Sequence, residues 1–177
     1  LFEIQVFPIG KIGTFIDSRD GQSYKTIRIG GKVWMAENLK YSEAGSWCYD
    51  NNCKDYGRFY SWHTASRVCP TGWHLSSDSE WKSLTEYLKR STFITNRRSG
   101  TLLWNMPKNE PAFEATLSGF RGQTGTFYGF GSEGNWWSSD KADLGNSFSW
   151  SVNKDFNTPT RKSSKINYGF SVRCVKD

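Results

Sequence analysis

The fold of this chain is organised around the stretch Cys69-Pro70-Thr71-Gly72-Trp73-His74-Leu75-Ser76-Ser77-Asp78-Ser79-Glu80-Trp81. Its Pro-Thr-Gly segment predicts a turn, and the apolar residues Trp73 and Leu75 follow it directly. Ser77 and Glu80 then have the spacing of a capping box, in which each side chain bonds to the other residue's backbone N–H. We therefore expect a helix over residues 78–89 and a tight connection between two helices.

The four cysteines of the chain stand at positions 48, 53, 69 and 174, and four cysteines allow three disulfide pairings. Cys48 and Cys53 enclose Asp50-Asn51-Asn52, which is typical turn sequence, so we expect these two to pair locally. We then expect Cys69 to pair with Cys174. That bridge closes a loop of roughly a hundred residues and would add about 4–5 kcal/mol of stability in the chain-entropy account. An even number of cysteines fits an oxidising compartment.

The competing interpretation of the cysteines is a zinc site. The C-x4-C pair would have to join His63 and His74, and this spacing matches no common zinc finger. Both histidines lie beside aromatic residues, and each is interpreted more simply as a packed core histidine than as a catalytic base.

The composition predicts one domain with an aromatic core. The 177 residues are enough to bury a core without metal ions. Aromatic residues make up 16% of the chain, including nine Trp, whereas Leu, Ile and Val are scarce. This thin aliphatic content argues against a doubly wound α/β fold and a helix bundle. We expect residues 1–13 to be an N-terminal extension or lead-in strand, and residues 14–177 to be the domain.

The charge of the chain admits an anionic partner without requiring one. The net charge is +6 and the isoelectric point is near 9.2. Two groups of basic residues stand out: Lys89, Arg90, Arg97 and Arg98, and then Lys154, Arg161, Lys162 and Lys165. Because no arginine-rich run or aromatic RNA motif accompanies them, we expect no nucleic-acid partner.

The sequence also bears on membrane contact and processing. No apolar run is long enough to span a bilayer. The chain starts at Leu1 without Met, so we expect a processed or truncated form that contacts a membrane only through an anchor that is removed or absent here.

Periodicity and turn residues predict the order of the elements. We expect a hairpin over residues 14–39, helices over 57–67 and 78–89, an irregular region over 91–135, and strands over 136–139, 147–152 and 168–175. In the first helix, Phe59, Trp62, His63 and Ser66 would share one face. The result is an α+β fold of the C-type-lectin-like kind, with two helices, small antiparallel sheets, long irregular loops and paired terminal strands.

Several motifs give the chain a resemblance to a known family. They are Asp17-Ser18-Arg19-Asp20-Gly21-Gln22-Ser23-Tyr24-Lys25-Thr26, Trp34-Met35-Ala36-Glu37-Asn38-Leu39, Tyr56-Gly57-Arg58-Phe59-Tyr60, Cys69-Pro70-Thr71-Gly72-Trp73-His74-Leu75, Trp137-Ser138-Ser139 and Tyr168-Gly169-Phe170-Ser171-Val172-Arg173-Cys174-Val175. In this order they resemble the Fibrobacter succinogenes major paralogous domain family, with a looser match between residues 90 and 135.

The resemblance implies a secreted or surface-anchored bacterial domain, related in fold to C-type lectins and to formylglycine-generating enzymes. Those enzymes use a pair of cysteines around copper, and no such pair stands out here. We therefore expect no catalytic residues and keep an oxidase of the formylglycine-generating type only as an alternative. Asn109-Glu110-Pro111-Ala112 departs from the calcium-lectin motif. Calcium remains possible at Asp50, Asn51, Asn52 and Asp55, although a turn closed by a disulfide explains these residues as well.

We expect the ligand-binding surface between residues 140 and 165, where aromatic, amide and charged side chains mix. The candidates are Asp140, Lys141, Asn146, Trp150, Asn153, Lys154, Asp155, Phe156, Asn157 and Arg161. The alternative for Trp150, and for Phe148, is a position in the core. The function expected from this surface is recognition of a polysaccharide or a surface protein, outside the cell or on its outer surface. The alternative is a structural component of a surface appendage that pairs with another chain through residues 1–12.

Overall fold

The structure is a computed structural model that describes residues 12–88, 93–96, 101–104, 113–155 and 159–177 of the chain. The expectations for residues 1–11, including pairing with another chain, lie outside these residues. No helix in the described part of the chain is long and apolar enough to cross a membrane.

The described fold contains fifteen strands and three short helices. The strands are β1 (Ile12–Ile16), β2 (Ser23–Ile29), β3 (Lys32–Met35), β4 (Ser46–Trp47), β5 (Phe59–Tyr60), β6 (Trp73–Leu75), β7 (Phe93–Asn96), β8 (Thr101–Trp104), β9 (Phe113–Thr116), β10 (Phe120–Arg121), β11 (Phe127–Tyr128), β12 (Glu133–Lys141), β13 (Asn146–Asn153), β14 (Thr160–Lys165) and β15 (Cys174–Lys176). The helices are α1 (Cys53–Tyr56), α2 (Trp62–Ala65) and α3 (Asp78–Leu88). The predicted mixture of helices and small antiparallel sheets is therefore confirmed.

A five-stranded sheet brings the two ends of the domain together, in the order β1-β2-β3-β15-β6. The turn between β2 and β3 has two residues, Gly30 and Gly31, with φ of +57° and +82°. A two-residue hairpin of this kind requires positive φ at both positions, which glycine adopts without strain. The last strand then pairs with β3 at Trp34 and with β6 at Leu75, as expected for paired terminal strands.

The stretch from Cys69 to Trp81 has the predicted capping box and helix start, but it is not a simple connection between two helices, because Trp73–Leu75 form strand β6 and pair with β15. The backbone N–H of Ser77 donates to Glu80 Oε2 at 2.9 Å, and the Glu80 N–H donates to Ser77 Oγ at 3.2 Å, so the capping box is present. Helix α3 begins at Asp78 and buries Trp81 and Leu84 in the core. Both expected disulfides, Cys48–Cys53 and Cys69–Cys174, are also present.

The predicted helix over residues 57–67 is wrong. Tyr60 lies in β5 and exchanges backbone hydrogen bonds with Phe170, while only residues 62–65 form helix α2. Gly57 has a φ of +77°, which ends α1 and turns the chain into the strand. Phe59 and Tyr60 are both fully buried in this strand. The three-to-four spacing of aromatic residues does not distinguish such a strand from a helical face.

Two other expectations about the second half need correction. The region predicted as irregular contains the three-stranded sheet β7-β8-β9 and the two-stranded sheet β10-β11. The predicted strand over residues 168–175 is regular only from Cys174 to Lys176. Residues 169, 170 and 171 instead make single bridges to three different segments, because the chain crosses between sheets there. The predicted strands near 136–139 and 147–152 are confirmed as parts of β12 and β13.

The core is aromatic, as the composition predicts. Its largest completely buried apolar side chains are Trp34, Trp81, Trp136, Trp137, Tyr24, Tyr60, Phe59 and Phe113. The indole N–H groups of Trp62, Trp136 and Trp137 donate to Ser138 O, Asn38 Oδ1 and Tyr60 O at 2.9, 2.8 and 2.7 Å. These bonds matter because a buried indole N–H without a partner would destabilise the core.

Asn38 connects three distant parts of the chain through one buried carboxamide. Its Oδ1 accepts hydrogen bonds from Trp136 Nε1 and from Arg173 Nε, each at 2.8 Å. Its Nδ2 donates to Tyr56 O at 2.9 Å and to Ser171 Oγ at 3.2 Å. All hydrogen-bonding positions of this amide are used, so its loss would leave several buried groups unpaired.

We predict that Asn38→Ala destabilises the domain by about 3–5 kcal/mol, because a buried indole N–H and a buried guanidinium each lose an acceptor. Chemical denaturation of the oxidised protein measures this free energy. Asn167→Ala, at an exposed turn, is the matched control. Equal stability of the two variants would show that the amide is dispensable.

Candidate functional site

The described members of the predicted ligand surface lie in the sheet formed by β12, β13 and β14 or in the turn that directly follows β13. Asp140, Lys141, Lys154, Asp155 and Arg161 are exposed, Asn146 and Asn153 are half-buried, Trp150 is buried, and Phe156 and Asn157 lie outside the described residues. The surface is therefore more polar than the sequence suggests.

Trp150 belongs to the core and not to a ligand surface. Its side chain is 6% exposed, its ring stacks on Trp81 with centroids 6.4 Å apart, and its Nε1 donates to Asp78 Oδ1 at 3.1 Å. The alternation of apolar and polar residues in β13 is compatible with Trp150 on either face of the sheet. Only the packing of α3 against this strand decides that the Trp150 ring is buried.

Asp140 and Arg161 hold helix α3 against the sheet. Asp140 Oδ2 accepts from the backbone N–H of Asp78 at 2.7 Å, and Arg161 Nε donates to Asp78 Oδ1 at 2.7 Å. Burial raises the pKa of Asp78, but hydrogen bonds from Arg161 and Lys82 outweigh burial and leave that pKa below its ordinary value. The candidate side chains without such a structural bond to α3 include Lys141, Asn153, Lys154 and Asp155.

A second surface, formed by the hairpin β10–β11, was not predicted from the sequence. Phe120 is opposite Tyr128 in the strand pair, so both rings lie on one face. Phe120 stacks on Tyr128 with centroids 5.4 Å apart and on Tyr168 with centroids 5.8 Å apart, both at an interplanar angle of 28°. These rings line a cleft of about 320 Å³ together with Gly122, Gln123 and Thr124. We call it the aromatic cleft.

The opposite face of the same hairpin is also aromatic. Phe127 contacts Phe59 and Tyr49, with centroids 5.4 Å apart in both pairs. Tyr49 stacks on Phe130 at 4.4 Å, and the Phe130 side chain is 42% exposed. Tyr49 lies in the loop closed by the Cys48–Cys53 disulfide, so this loop supports the hairpin from behind.

The aromatic cleft leaves a weak trace in the sequence. Its strands have two residues each, which is too short for an alternating pattern, and Tyr168 follows Tyr128 after forty residues. The available signal is a run of aromatic residues between glycines from Gly119 to Gly131, which is typical of a loop that presents rings at the surface.

The Cys48–Cys53 disulfide has a cation beside both sulfur atoms. Arg58 Nη1 lies 3.3 Å from Cys48 Sγ and 3.4 Å from Cys53 Sγ, and Arg58 Nε donates to Ser46 Oγ at 2.9 Å. A guanidinium in this position stabilises the thiolate that forms when the bridge is reduced. Cys174 of the other bridge is completely buried.

His74 lies between two carboxylates and is only partly buried, so the expected core packing is wrong. Its Nδ1 is 2.6 Å from Asp177 Oδ1, and its Nε2 is 3.0 Å from Glu80 Oε1. Burial lowers the pKa of His74, but the hydrogen bonds to Asp177 and Glu80 outweigh burial and raise that pKa above its ordinary value. Both ring nitrogens donate only in the protonated form, so the arrangement is an ion-pair clamp on the capping box.

The structure also shows the surroundings of His63, of the four cysteines and of the Asn52 turn. His63 is exposed rather than packed in the core. All four cysteines are in disulfides, so the zinc interpretation is wrong. Asn52 caps helix α1 through its contacts with Asp55. Among the described residues, no group of three or more His, Cys, Asp or Glu side chains is arranged to hold a metal ion.

Comparison with known proteins gives one match. The family model described as the Fibrobacter succinogenes major domain matches residues 27–176. No curated protein and no solved structure matches the chain.

We predict that the His74 clamp stabilises the protein more at lower pH. Because the pKa of His74 is raised on folding, its contribution is complete below the unfolded pKa and is lost as the pH rises through the folded pKa. The difference in melting temperature between wild type and His74→Gln should shrink from about pH 6 to about pH 8.5. His63→Gln serves as the control, and a pH-independent His74→Gln difference would contradict the clamp.

We predict that a small dithiol reduces Cys48–Cys53 before Cys69–Cys174, because Arg58 stabilises the departing thiolate. Arg58→Met should slow reduction of the first bridge roughly threefold and leave the second unchanged. Alkylation of the freed thiols followed by mass spectrometry gives both rates. In Arg58→Lys, which retains the charge, the Cys48–Cys53 bridge should be reduced at a rate between those of the wild type and Arg58→Met.

Proposed function

Because the chain belongs to the Fibrobacter succinogenes major domain family, and because it presents an open aromatic cleft, we propose that it is a secreted or cell-surface binding module. The cleft is the single observation on which this proposal rests. Tyr128 keeps 49% of its surface exposed, while the rings behind it are fixed by the core. An exposed ring held in one position loses little conformational freedom on binding, which favours a ligand site.

The support for Tyr128 extends into the core through a series of rings. Phe120 contacts Phe170 edge-on with centroids 5.8 Å apart, and Phe170 packs on Trp137 at 4.4 Å. Phe170 and Trp137 are both buried, at 3% and 0% exposure. The floor of the cleft is therefore continuous with the buried aromatic core of the domain.

We propose that the fold is C-type-lectin-like. The β2–β3 hairpin pairs with the last strand, a capped helix packs on the sheets, and the second half contains small antiparallel sheets. These features support the proposal, and the two disulfides support a position outside the cytoplasm, where such bonds persist.

The polar surface of Lys141, Asn153, Lys154 and Asp155 stays a prediction as a second contact region. Calcium at the Asn52 turn also stays a prediction, as does the structural-appendage alternative, which depends on residues before β1. A non-enzymatic role is part of the proposal. An enzyme of the formylglycine-generating type would need a reactive cysteine pair, and all four cysteines here are bridged.

We predict that an array of glycans and extracellular proteins detects a ligand whose binding requires Tyr128. Tyr128→Ala should weaken that binding by at least about tenfold, because the substitution removes the most exposed ring of the cleft. The control is the double variant Lys154→Ala/Asp155→Ala, which leaves the cleft intact.

A ligand site in the aromatic cleft and a ligand site on the polar surface predict opposite results in this experiment. Loss of binding only in the Lys154→Ala/Asp155→Ala variant would move the site to the polar surface. If the array detects no ligand whose binding is weakened by Tyr128→Ala or by Lys154→Ala/Asp155→Ala, the binding-module proposal itself is contradicted. Melting temperatures of all variants confirm that they fold.

A further inference from the structure

We propose that the aromatic cleft binds a neutral saccharide, with a sugar ring packed on Tyr128 and its hydroxyl groups bonded to the polar rim. This inference rests on the binding module proposed above and specifies the class of its ligand. Four features of the cleft support it: the ring faces, the polar rim, the absence of charge in its lining, and the glycine that seats the ring.

The rings of the cleft form a stacked row instead of a closed apolar pocket. Phe120 stacks on both Tyr128 and Tyr168, and in each of these two pairs the ring planes are inclined by 28°. Tyr128 is exposed and Tyr168 is half-exposed, so the row is open to solvent. A pyranose has one face formed largely by C–H groups, and an open aromatic face offers matching apolar area at low entropic cost.

The rim of the cleft provides hydrogen-bonding groups next to the rings. Gln123 and Thr124 are exposed in the β10–β11 turn and line the same cleft. The phenolic hydroxyls of Tyr128 and Tyr168 add groups that both donate and accept. Sugar hydroxyls need such partners, whereas an apolar ligand would leave the amide of Gln123 without compensation when water is displaced.

In the part of the chain that the structure describes, the lining contains no charged side chain: it consists of Phe120, Gly122, Gln123, Thr124, Tyr128 and Tyr168. The nearest basic residue in sequence, Arg121, faces the other side of the hairpin, where its Cζ lies 4.0 Å from the Trp47 ring centroid. An acidic saccharide would therefore desolvate its carboxylates here without gaining an ion pair.

Gly122 allows the Tyr128 ring to lie over the backbone. A Cβ at this position would be 2.7 Å from Tyr128 Cε2 and 3.4 Å from Thr126 O. Any larger residue would displace the ring, so the open stack depends on glycine at this position. The volume of about 320 Å³ lies at the lower end of the range of roughly 300–1,000 Å³ for small-molecule sites, which suits a short saccharide segment.

A basic groove elsewhere on the domain provides a contrast. It has a volume of about 420 Å³ and is lined by Arg28, Gly31, Lys32, Val33, Lys176 and Asp177, at the β2–β3 turn and the end of β15. An acidic saccharide would find cations there, and its binding would weaken with added salt. Salt dependence and sensitivity to Tyr128→Ala therefore separate the two modes.

The test is isothermal titration calorimetry of the full chain with neutral oligosaccharides of glucose, mannose and galactose, in α and β linkages, and with an oligogalacturonate. We expect at least one neutral oligosaccharide to bind with an affinity that changes less than about twofold between low and moderate salt. Tyr128→Ala should weaken it at least about tenfold, and Tyr128→Phe should retain it within about threefold, because the ring face supplies the contact.

Two further variants test the geometry. Gly122→Ala should weaken binding by displacing the Tyr128 ring, while Tyr128 itself remains present. Phe130→Ala is the matched control, because Phe130 is an exposed aromatic residue on the same segment, 42% exposed, and does not line the cleft. It should leave the affinity unchanged within about twofold.

The outcomes distinguish this inference from the proposal on which it rests. A protein or apolar ligand that requires Tyr128, with no neutral saccharide bound, would overturn the saccharide assignment and leave the binding module standing. Binding of oligogalacturonate alone, salt-sensitive and unaffected by Tyr128→Ala, would also overturn it. Neutral saccharide binding with equal loss in Tyr128→Ala and Phe130→Ala would contradict the placement in the cleft.

Discussion

The buried carboxamide of Asn38 is the contact on which the rest of the structure depends. It follows the β2–β3 hairpin, yet its oxygen accepts hydrogen bonds from Trp136 and Arg173, which belong to the second half of the chain. An aromatic core can pack in several ways with similar energy, whereas a buried amide tolerates few arrangements, because each unpaired group costs about 1–3 kcal/mol. The network therefore selects one packing of the sheets around it.

Two further contacts fix the arrangement of the segments that Asn38 connects. The Cys69–Cys174 disulfide attaches the end of the chain to the segment before α3, and the Ser77–Glu80 capping box starts that helix. Aromatic rings at the edge of these packed segments are held in place by neighbouring rings although they are not fully buried. The aromatic cleft is such an edge, and its chemistry is that of a fixed surface on which a ligand displaces water from rings already in place.

Features formed by residues close in sequence were predicted well. The capping box and the local Cys48–Cys53 bridge each depend on a few adjacent residues and on the backbone conformations these residues prefer. The helix predicted over residues 57–67 failed for the opposite reason. Hydrogen bonds between Tyr60 and Phe170 form a strand there, and their partner is more than a hundred residues away.

The sequence by itself therefore determined the aromatic core, the local disulfide and the capped helix, because composition and local spacing encode them. The pair Cys69–Cys174 followed only because the local pair left these two cysteines over. Only the tertiary structure decided which aromatic side chains are buried and which are presented. Trp150 and Tyr128 are both aromatic residues in strands, yet α3 covers the first, whereas the second stays 49% exposed. Burial of a ring depends on what packs above it, and for Phe120, Tyr128 and Tyr168 the cleft exists only after distant segments have met.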